Sequence, residues 1–312
     1  MLYALAAALT GLGALFVLAC RAFPGLAEGW LLRGFAPVSA AIAPLVSRVA
    51  FPLAEIACVL LLAGGIWLAV RSRRGACLLL AALALTYALF WAPLYFVPAH
   101  FAVPDAVDAR ALEALCRELT DELNQRGAFA MPEDMLERAG EVAALAETPA
   151  AVRAVPKYAR YPEWMRGLSL AGIYVPWTFE ALVNPLEAAP GQPFTAVHEL
   201  MHLGGVADEG QANIYAYKAC LRAGGAFAHS ARLWALKYAM AALREVDAAA
   251  WNACAARLEP SVRADFVAIG GFALPATGDR GVATVFLRLG GIEEQAGNYD
   301  ALARWLCARE QT

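Results

Sequence analysis

Residues 196–203 read Ala-Val-His-Glu-Leu-Met-His-Leu, and the expectations for the whole chain start from this segment. His198 and His202 are four positions apart, so on a helix both imidazoles lie on one face and can bind the same metal ion. Glu199 can stand beside that metal as the general base for a bound water. The chain has only four histidines in 312 residues, so this spacing is hard to ascribe to chance. The alternative interpretation is a pair of surface histidines on an amphipathic helix.

A catalytic zinc needs a third protein ligand and keeps one position for water. Asp208 stands six residues after His202, as in a variant of the metzincin pattern, and Glu209 stands seven residues after it. Asp208 followed by Gln211 has the form of a capping box, which would occupy the aspartate side chain and leave Glu209 free to reach the metal. We therefore favour His198, His202 and Glu209 as the ligands of one zinc ion, with Asp208 as the competing third ligand.

The N-terminal third of the chain is expected to form a membrane anchor. The sequence is 60% hydrophobic, which is too apolar for a soluble protein of this size. Three apolar runs, at about residues 2–20, 51–70 and 76–97, are each long enough to cross a bilayer. The first run could be a cleaved signal peptide, but it lacks the basic segment that precedes one. The sequence thus predicts an anchor with three transmembrane helices in residues 1–98 and a separate domain in residues 99–312.

Basic residues give the expected orientation. Arg71, Arg73 and Arg74 crowd the turn between the second and third runs, and the positive-inside rule places this turn in the cytoplasm. Residues 99–312 would then be extracytoplasmic, at the inner membrane of a bacterium. The net charge of −3 and the lack of a basic patch exclude nucleic acid as a partner. The partners expected are the lipid bilayer and a peptide or protein substrate, and the membrane tether suggests a substrate in the membrane or envelope.

The domain after the anchor is expected to be mainly α-helical with a small β element. Apolar spacing predicts helices over residues 105–126 and 131–147, and almost continuous helix from residue 194. Short strands are expected at residues 172–176 and 179–184, just ahead of the metal-binding helix. The first strand could pair with an extended peptide at the edge of a sheet, or it could simply pack into the core.

Several further residues are candidates for supporting roles. Asn213 could orient one of the histidine ligands, and Glu180 could bind substrate or a backbone group. A second donor for the developing oxyanion is also needed, and the candidates are Tyr215, Tyr217, His229 and Tyr299. Four cysteines could form disulfides if the domain is extracytoplasmic; they are Cys116, Cys220, Cys254 and Cys307.

The order of these features resembles a family of bacterial membrane proteins known as domain of unknown function 3810. The residues that carry the resemblance lie at 119–126, 171–184, 193–202, 209–213, 217–220 and 298–299. The segment Glu209-Gly210-Gln211-Ala212-Asn213 also looks like the E-x-x-A-D pattern of gluzincin-type membrane proteases, with Asn213 in place of aspartate. The resemblance implies a zincin-like zinc metallopeptidase at the membrane, and it implies no particular substrate. This chain departs from the family at Gln211, where a second acid is usual, and at His229.

The function expected is hydrolysis of peptide bonds by a zinc-activated water, with Glu199 as the general base. One alternative is a non-enzymatic membrane protein in which a metal only links the helices, although such structural sites usually contain cysteine. Another is a metallohydrolase acting on a small molecule, which would need an enclosed apolar pocket instead of an open groove.

Overall fold

The computed structural model describes residues 1–272 and 300–309, and it is mainly helical with one small sheet. A π-helical turn spans Leu31–Phe35, and two short 3-10 turns lie at Ala92–Phe96 and Ala189–Gly191. The helices, in chain order, are α1 (Leu2–Ala22), α2 (Pro24–Trp30), α3 (Ala36–Ser47), α4 (Leu53–Arg71), α5 (Arg73–Phe90), α6 (Ala109–Arg126), α7 (Met135–Ala143), α8 (Glu163–Gly167), α9 (Gln192–Leu203), α10 (Glu209–Ala223), α11 (Gly225–Val246), α12 (Ala248–Ala256), α13 (Pro260–Ala268) and α14 (Ala301–Arg309).

Four helical segments of the described chain are long and apolar enough to cross a membrane. They are Leu2–Ala22, Pro24–Ser47, Leu53–Arg71 and Arg73–Phe96. The predicted runs at 2–20, 51–70 and 76–97 coincide with three of them, so the predicted count of three spans is not confirmed. The additional segment was missed because Glu28 and Arg33 interrupt its apolar character and prolines punctuate it.

The three predicted spans form a compact bundle with a defined direction. Arg74, at the start of α5, lies over the ring of Tyr3 at the start of α1, 5.8 Å from its centroid. Further along, a Cβ atom on Gly13 would come within 3.0 Å of the Ala88 Cβ, so α1 and α5 run parallel. Ser72 alone separates α4 from α5, and the two helices pack antiparallel. The ends of α1 and α5 and the start of α4 therefore lie at the same end of the bundle.

Both ends of the segment Pro24–Ser47 also contact this end of the bundle. Trp30 donates a hydrogen bond from Nε1 to the carbonyl of Leu89, near the end of α5, at 2.6 Å. Val46 accepts one from the Lys157 ammonium, which also bonds Phe51 O just before α4 begins. The buried residues of the segment recur every fourth position, so one helix face packs against the rest of the protein; they are Ala27, Leu31, Phe35, Ser39 and Ala43.

The sheet has three strands in the order β1-β3-β2. The strands are β1 (Lys157–Tyr158), β2 (Gly172–Val175) and β3 (Glu180–Val183). β2 and β3 form an antiparallel hairpin with Gly172 opposite Val183, and β1 runs parallel to β3. The two strands expected at 172–176 and 179–184 are therefore present, and β2 lies at an edge of the sheet.

The remaining helices form one core around α9. α9 contacts both β2 and β3 on one side and α7, α10 and α11 on the others, while α6 packs on α11.

The helices expected at 105–126 and 131–147 are present but shorter, since Asp108 caps α6 through the amide of Ala111. No disulfide bond links the seven cysteines, all of which lie in the described ranges.

Candidate metal centre

The helix that carries His198 and His202 is central and fully buried. Pro193 occupies its first turn, where a missing N–H costs nothing, and all twelve of its residues are buried. It ends where Gly205 adopts a φ of +88°, a conformation that favours glycine, and the chain then turns toward α10. Two histidines on such a helix are not ordinary surface residues, so the amphipathic-helix interpretation does not fit.

The turn after α9 brings the carboxylate of Glu209 between the two imidazoles. His198 Nε2 lies 3.1 Å from Glu209 Oε2, and His202 Nε2 lies 3.6 Å from Glu209 Oε1. One ligand atom from each of these three residues lies within 4.8 Å of the other two. Glu209 is the most accessible of the three, with 26% of its side chain exposed against 11% for His198.

Asp208 is occupied elsewhere. It is the N-cap of α10, and its Oδ1 accepts a hydrogen bond from the amide of Gln211 at 2.7 Å. This is the capping role that the sequence predicted for it. Glu209 is the first residue of α10, so its side chain is the one that reaches the imidazoles.

One histidine is oriented by the backbone. His202 Nδ1 lies 2.7 Å from the carbonyl of Val206, so the neutral ring carries its proton on Nδ1 and presents the Nε2 lone pair to the centre. His198 Nδ1 is buried and has no hydrogen-bond partner in the described part of the chain, and the same is true of Asn213 Nδ2. The predicted hydrogen bond from Asn213 to a histidine is therefore not seen.

Glu199 lies beside the centre and against the edge strand. The main-chain N–H of Tyr174 in β2 lies close enough to its carboxylate to favour the charged form. Gly172 leaves the space for it, because a Cβ atom at that position would lie 2.6 Å from both Cγ and Oε1 of Glu199. Burial raises the pKa of Glu199 above its ordinary value, and the nearby His198 and His202 oppose that rise only in part.

The charges of the cluster are strongly coupled. Burial lowers the pKa of His202, but the carboxylates of Glu209 and Glu199 outweigh burial and raise that pKa to about 9. Burial raises the pKa of Glu209, but His202 and His198 outweigh it and hold that pKa well below its usual range. The imidazoles and the carboxylates thus stabilise each other's charged forms, and a bound cation would compete with the ring proton for the same groups.

An aromatic wall from the membrane anchor closes one side of the centre. Trp91, the residue after α5, has its ring centroid 5.6 Å from that of His202 and 5.2 Å from that of Tyr174. Its Nε1 donates to the Tyr95 hydroxyl at 3.1 Å, and Tyr95 lies within electrostatic range of Glu209. The place of these aromatics at the centre was missed, because about a hundred residues separate them from the metal-binding motif.

The other candidates lie elsewhere. Tyr215 stacks on His100, with ring centroids 5.7 Å apart, and His229 pairs with Asp265 at 3.2 Å. Tyr217 is buried beside the ion pair of Arg232 and Glu122. The contacts of these three are thus made away from the histidine cluster, and Tyr299 lies outside the described residues.

Glu180 has a structural partner. Its two carboxylate oxygens accept hydrogen bonds from the amides of Leu53 and Ala54, at 2.9 and 2.5 Å, and from the Lys157 ammonium at 2.6 Å. It therefore caps the start of α4. Of the two roles expected for Glu180, binding substrate or binding a backbone group, the structure shows the second.

The donor set fits a zinc ion. Two imidazole nitrogens and one carboxylate oxygen are the protein ligands of a known class of catalytic zinc sites. Cys220, the nearest cysteine in sequence, is not among the clustered residues. Within the described residues the cluster thus offers three ligands, with no thiolate to complete a closed structural site.

Comparisons with known proteins give one match. The family described as "Protein of unknown function (DUF3810)" matches residues 33–307, which include the last two membrane-length segments, part of Pro24–Ser47 and the whole histidine cluster. No curated protein and no solved structure matches the chain significantly. Because the match covers most of the chain, this protein belongs to the DUF3810 family.

Proposed function

We propose that this protein is a membrane-anchored zinc metallopeptidase. The observation that carries the proposal is the convergence of His198, His202 and Glu209, with the unliganded carboxylate of Glu199 beside them. A structural site would give that carboxylate no role, although burying an acid costs free energy unless the acid is paired or hydrogen-bonded.

Each residue then has a defined role. His198, His202 and Glu209 would hold the zinc ion, which would lower the pKa of a bound water and polarise the scissile carbonyl. Glu199 accepts the proton of the attacking water and delivers it to the leaving amine. Its raised pKa moves it toward the range in which a carboxyl group can both accept and return a proton near neutral pH.

The side of β2 that faces away from β3 has no strand partner in the sheet, and we propose that the substrate pairs there. Asn184 N donates to Ala171 O at 2.8 Å, and the alternation of an antiparallel pair then turns the main-chain groups of Gly172 and Tyr174 away from β3. Glu199 lies against this side of β2. An extended peptide pairing with β2 would pass beside Glu199, and this favours a peptide substrate over a small molecule.

The membrane topology we propose has three spans. α1, α4 and α5 cross the bilayer, while Pro24–Ser47 lies on its outer surface, because both ends of that segment contact the same end of the bundle. Arg71, Arg73 and Arg74 place the opposite end in the cytoplasm. The metal centre is then extracytoplasmic, on the inner membrane of a bacterium.

Replacing the general base tests the proposal. We expect Glu199→Gln to keep zinc, measured as bound metal in the purified full-length protein, and to lower the rate of peptide cleavage by roughly 10²–10⁴-fold. Cleavage would be followed with a random peptide mixture analysed by mass spectrometry. A Glu199→Gln protein that cleaves as fast as the wild type would contradict the assignment, and so would a fourth protein ligand on the bound zinc.

A further inference from the structure

The metal centre lies next to the point where a span leaves the bilayer. Trp91 follows the last residue of α5 directly, and a single ring contact joins it to His202. The hairpin of β2 and β3 also contacts the end of α5, where the ring centroid of Phe179 lies 6.0 Å from that of Phe90. A peptide bond must therefore come close to this end of the bundle to reach the centre.

A second surface of the domain lies at the same end of the bundle, beside the start of α4. We call residues 160–168 the interfacial arm. Glu55, in the first turn of α4, accepts hydrogen bonds from the amides of Arg160 and Tyr161 and from Nε1 of Trp164. These contacts hold the arm beside the start of a span, so its exposed side chains lie at the height of the lipid headgroups.

The exposed side chains of this surface are those of a membrane interface. Tyr161 is 71% exposed, and Trp164 and Leu168 are also exposed large apolar residues. Trp177, in the turn of the β2–β3 hairpin, is 46% exposed. Tyrosine and tryptophan combine an apolar body with a polar edge and concentrate at lipid headgroups.

We propose that the interfacial arm and Trp177 rest on the bilayer, and that the site cleaves the extended segment next to a transmembrane helix of another membrane protein. The proposal rests on the proposed function, because it names the substrate class of that site. The short chain from the arm to β2 leads from the membrane contact to the edge strand beside Glu199. A segment leaving the bilayer nearby would reach β2 without having to leave the membrane surface.

Tryptophan fluorescence tests the membrane contact without requiring activity. The full-length protein would be placed in vesicles of phosphatidylethanolamine and phosphatidylglycerol that contain lipids brominated near the top of the acyl chains. We expect Trp177→Phe and Trp164→Phe each to reduce the fraction of fluorescence that these lipids quench. Trp251→Phe, on α12, is the matched control and should leave that fraction unchanged. An unchanged fraction in both test variants would overturn the membrane contact.

Cleavage assays test the substrate class. Two probes would share one unstructured segment of randomised sequence, and only one of them would carry it directly after a single transmembrane helix in the same vesicles. We expect the anchored probe to be cleaved with a kcat/KM higher by roughly 10²-fold, because anchoring raises the effective concentration at the site. The cut positions, mapped by mass spectrometry, should cluster near the end of the helix.

The outcomes separate the two proposals. Equal cleavage of the anchored and free probes, with cuts spread along the segment, would overturn the substrate class and leave the peptidase intact. Cleavage of neither probe by a zinc-loaded protein would overturn the peptidase and the substrate class together. Glu199→Gln in parallel shows whether any cleavage comes from this site.

Discussion

Gly172 controls the position of the proposed general base. A methyl group at this residue would overlap Glu199 Cγ and Oε1 at 2.6 Å, so the carboxylate would have to move. We expect Gly172→Ala to lower kcat by roughly 10²-fold, since small displacements of a reacting group have effects of that size. Zinc content should stay at the wild-type level, because no ligand is touched. The measurement is steady-state cleavage together with bound zinc.

A neighbouring glycine provides the control for that substitution. Gly167 has no atom within 4 Å of the position where a Cβ would lie, so Gly167→Ala should leave cleavage unchanged. Wild-type activity in Gly172→Ala would mean that Glu199 does not need its present position.

The two acids after the motif can be separated by a matched pair of variants. Glu209→Gln removes a carboxylate that faces both imidazoles and should lose bound zinc. Asp208→Asn should keep zinc and cleavage, because asparagine caps a helix about as well as aspartate. Metal content after dialysis measures both. Loss of zinc from Asp208→Asn with retention in Glu209→Gln would reverse the assignment.

At the scale of elements, the docking of α4 on the sheet depends on one buried ion pair. Glu180 is 3% exposed and binds two amides of α4 as well as the ammonium of Lys157. Glu180→Ala would leave both amides without an acceptor and Lys157 without its counter-charge, and breaking such a buried pair costs about 3–5 kcal/mol. We expect that loss in the free energy of unfolding, measured by denaturant titration in detergent.

An exposed pair on α8 gives the comparison. Glu163 and Arg166 form an ion pair with more than half of each side chain exposed, so Glu163→Ala should change stability by no more than about 0.5 kcal/mol. The double variant Glu180→Ala with Lys157→Met should cost less than Glu180→Ala alone, since it no longer buries an uncompensated charge. Additive losses would show that the two residues do not act as a pair.

At the scale of the whole molecule, the orientation of the segment Pro24–Ser47 distinguishes three spans from four. Phe23 and Ala50 are exposed on either side of it. With three spans, cysteines introduced at both positions face outward and react with a membrane-impermeant maleimide in intact cells. With four spans, only the cysteine at position 50 reacts. Cys58 and Cys77, which are exposed, would first be replaced, and Ser72→Cys is the cytoplasmic control.

Local sequence patterns determined much of this protein. The spacing of His198 and His202, the cap at Asp208 and the three long apolar runs each depend on residues within a few helical turns. The physics that links such residues is the geometry of one helix, so it can be derived from the chain alone. The two strands ahead of the motif were predicted for the same reason.

Only the tertiary structure decided which distant residues meet. It brought Glu209 rather than Asp208 to the imidazoles, placed Trp91 against His202, and gave Glu180 the amides of α4 as its partners. It also placed both ends of the segment Pro24–Ser47 at the same end of the bundle. The length of an apolar run does not by itself predict that placement. These outcomes depend on packing between elements far apart in the chain, and periodicity carries no information about such contacts.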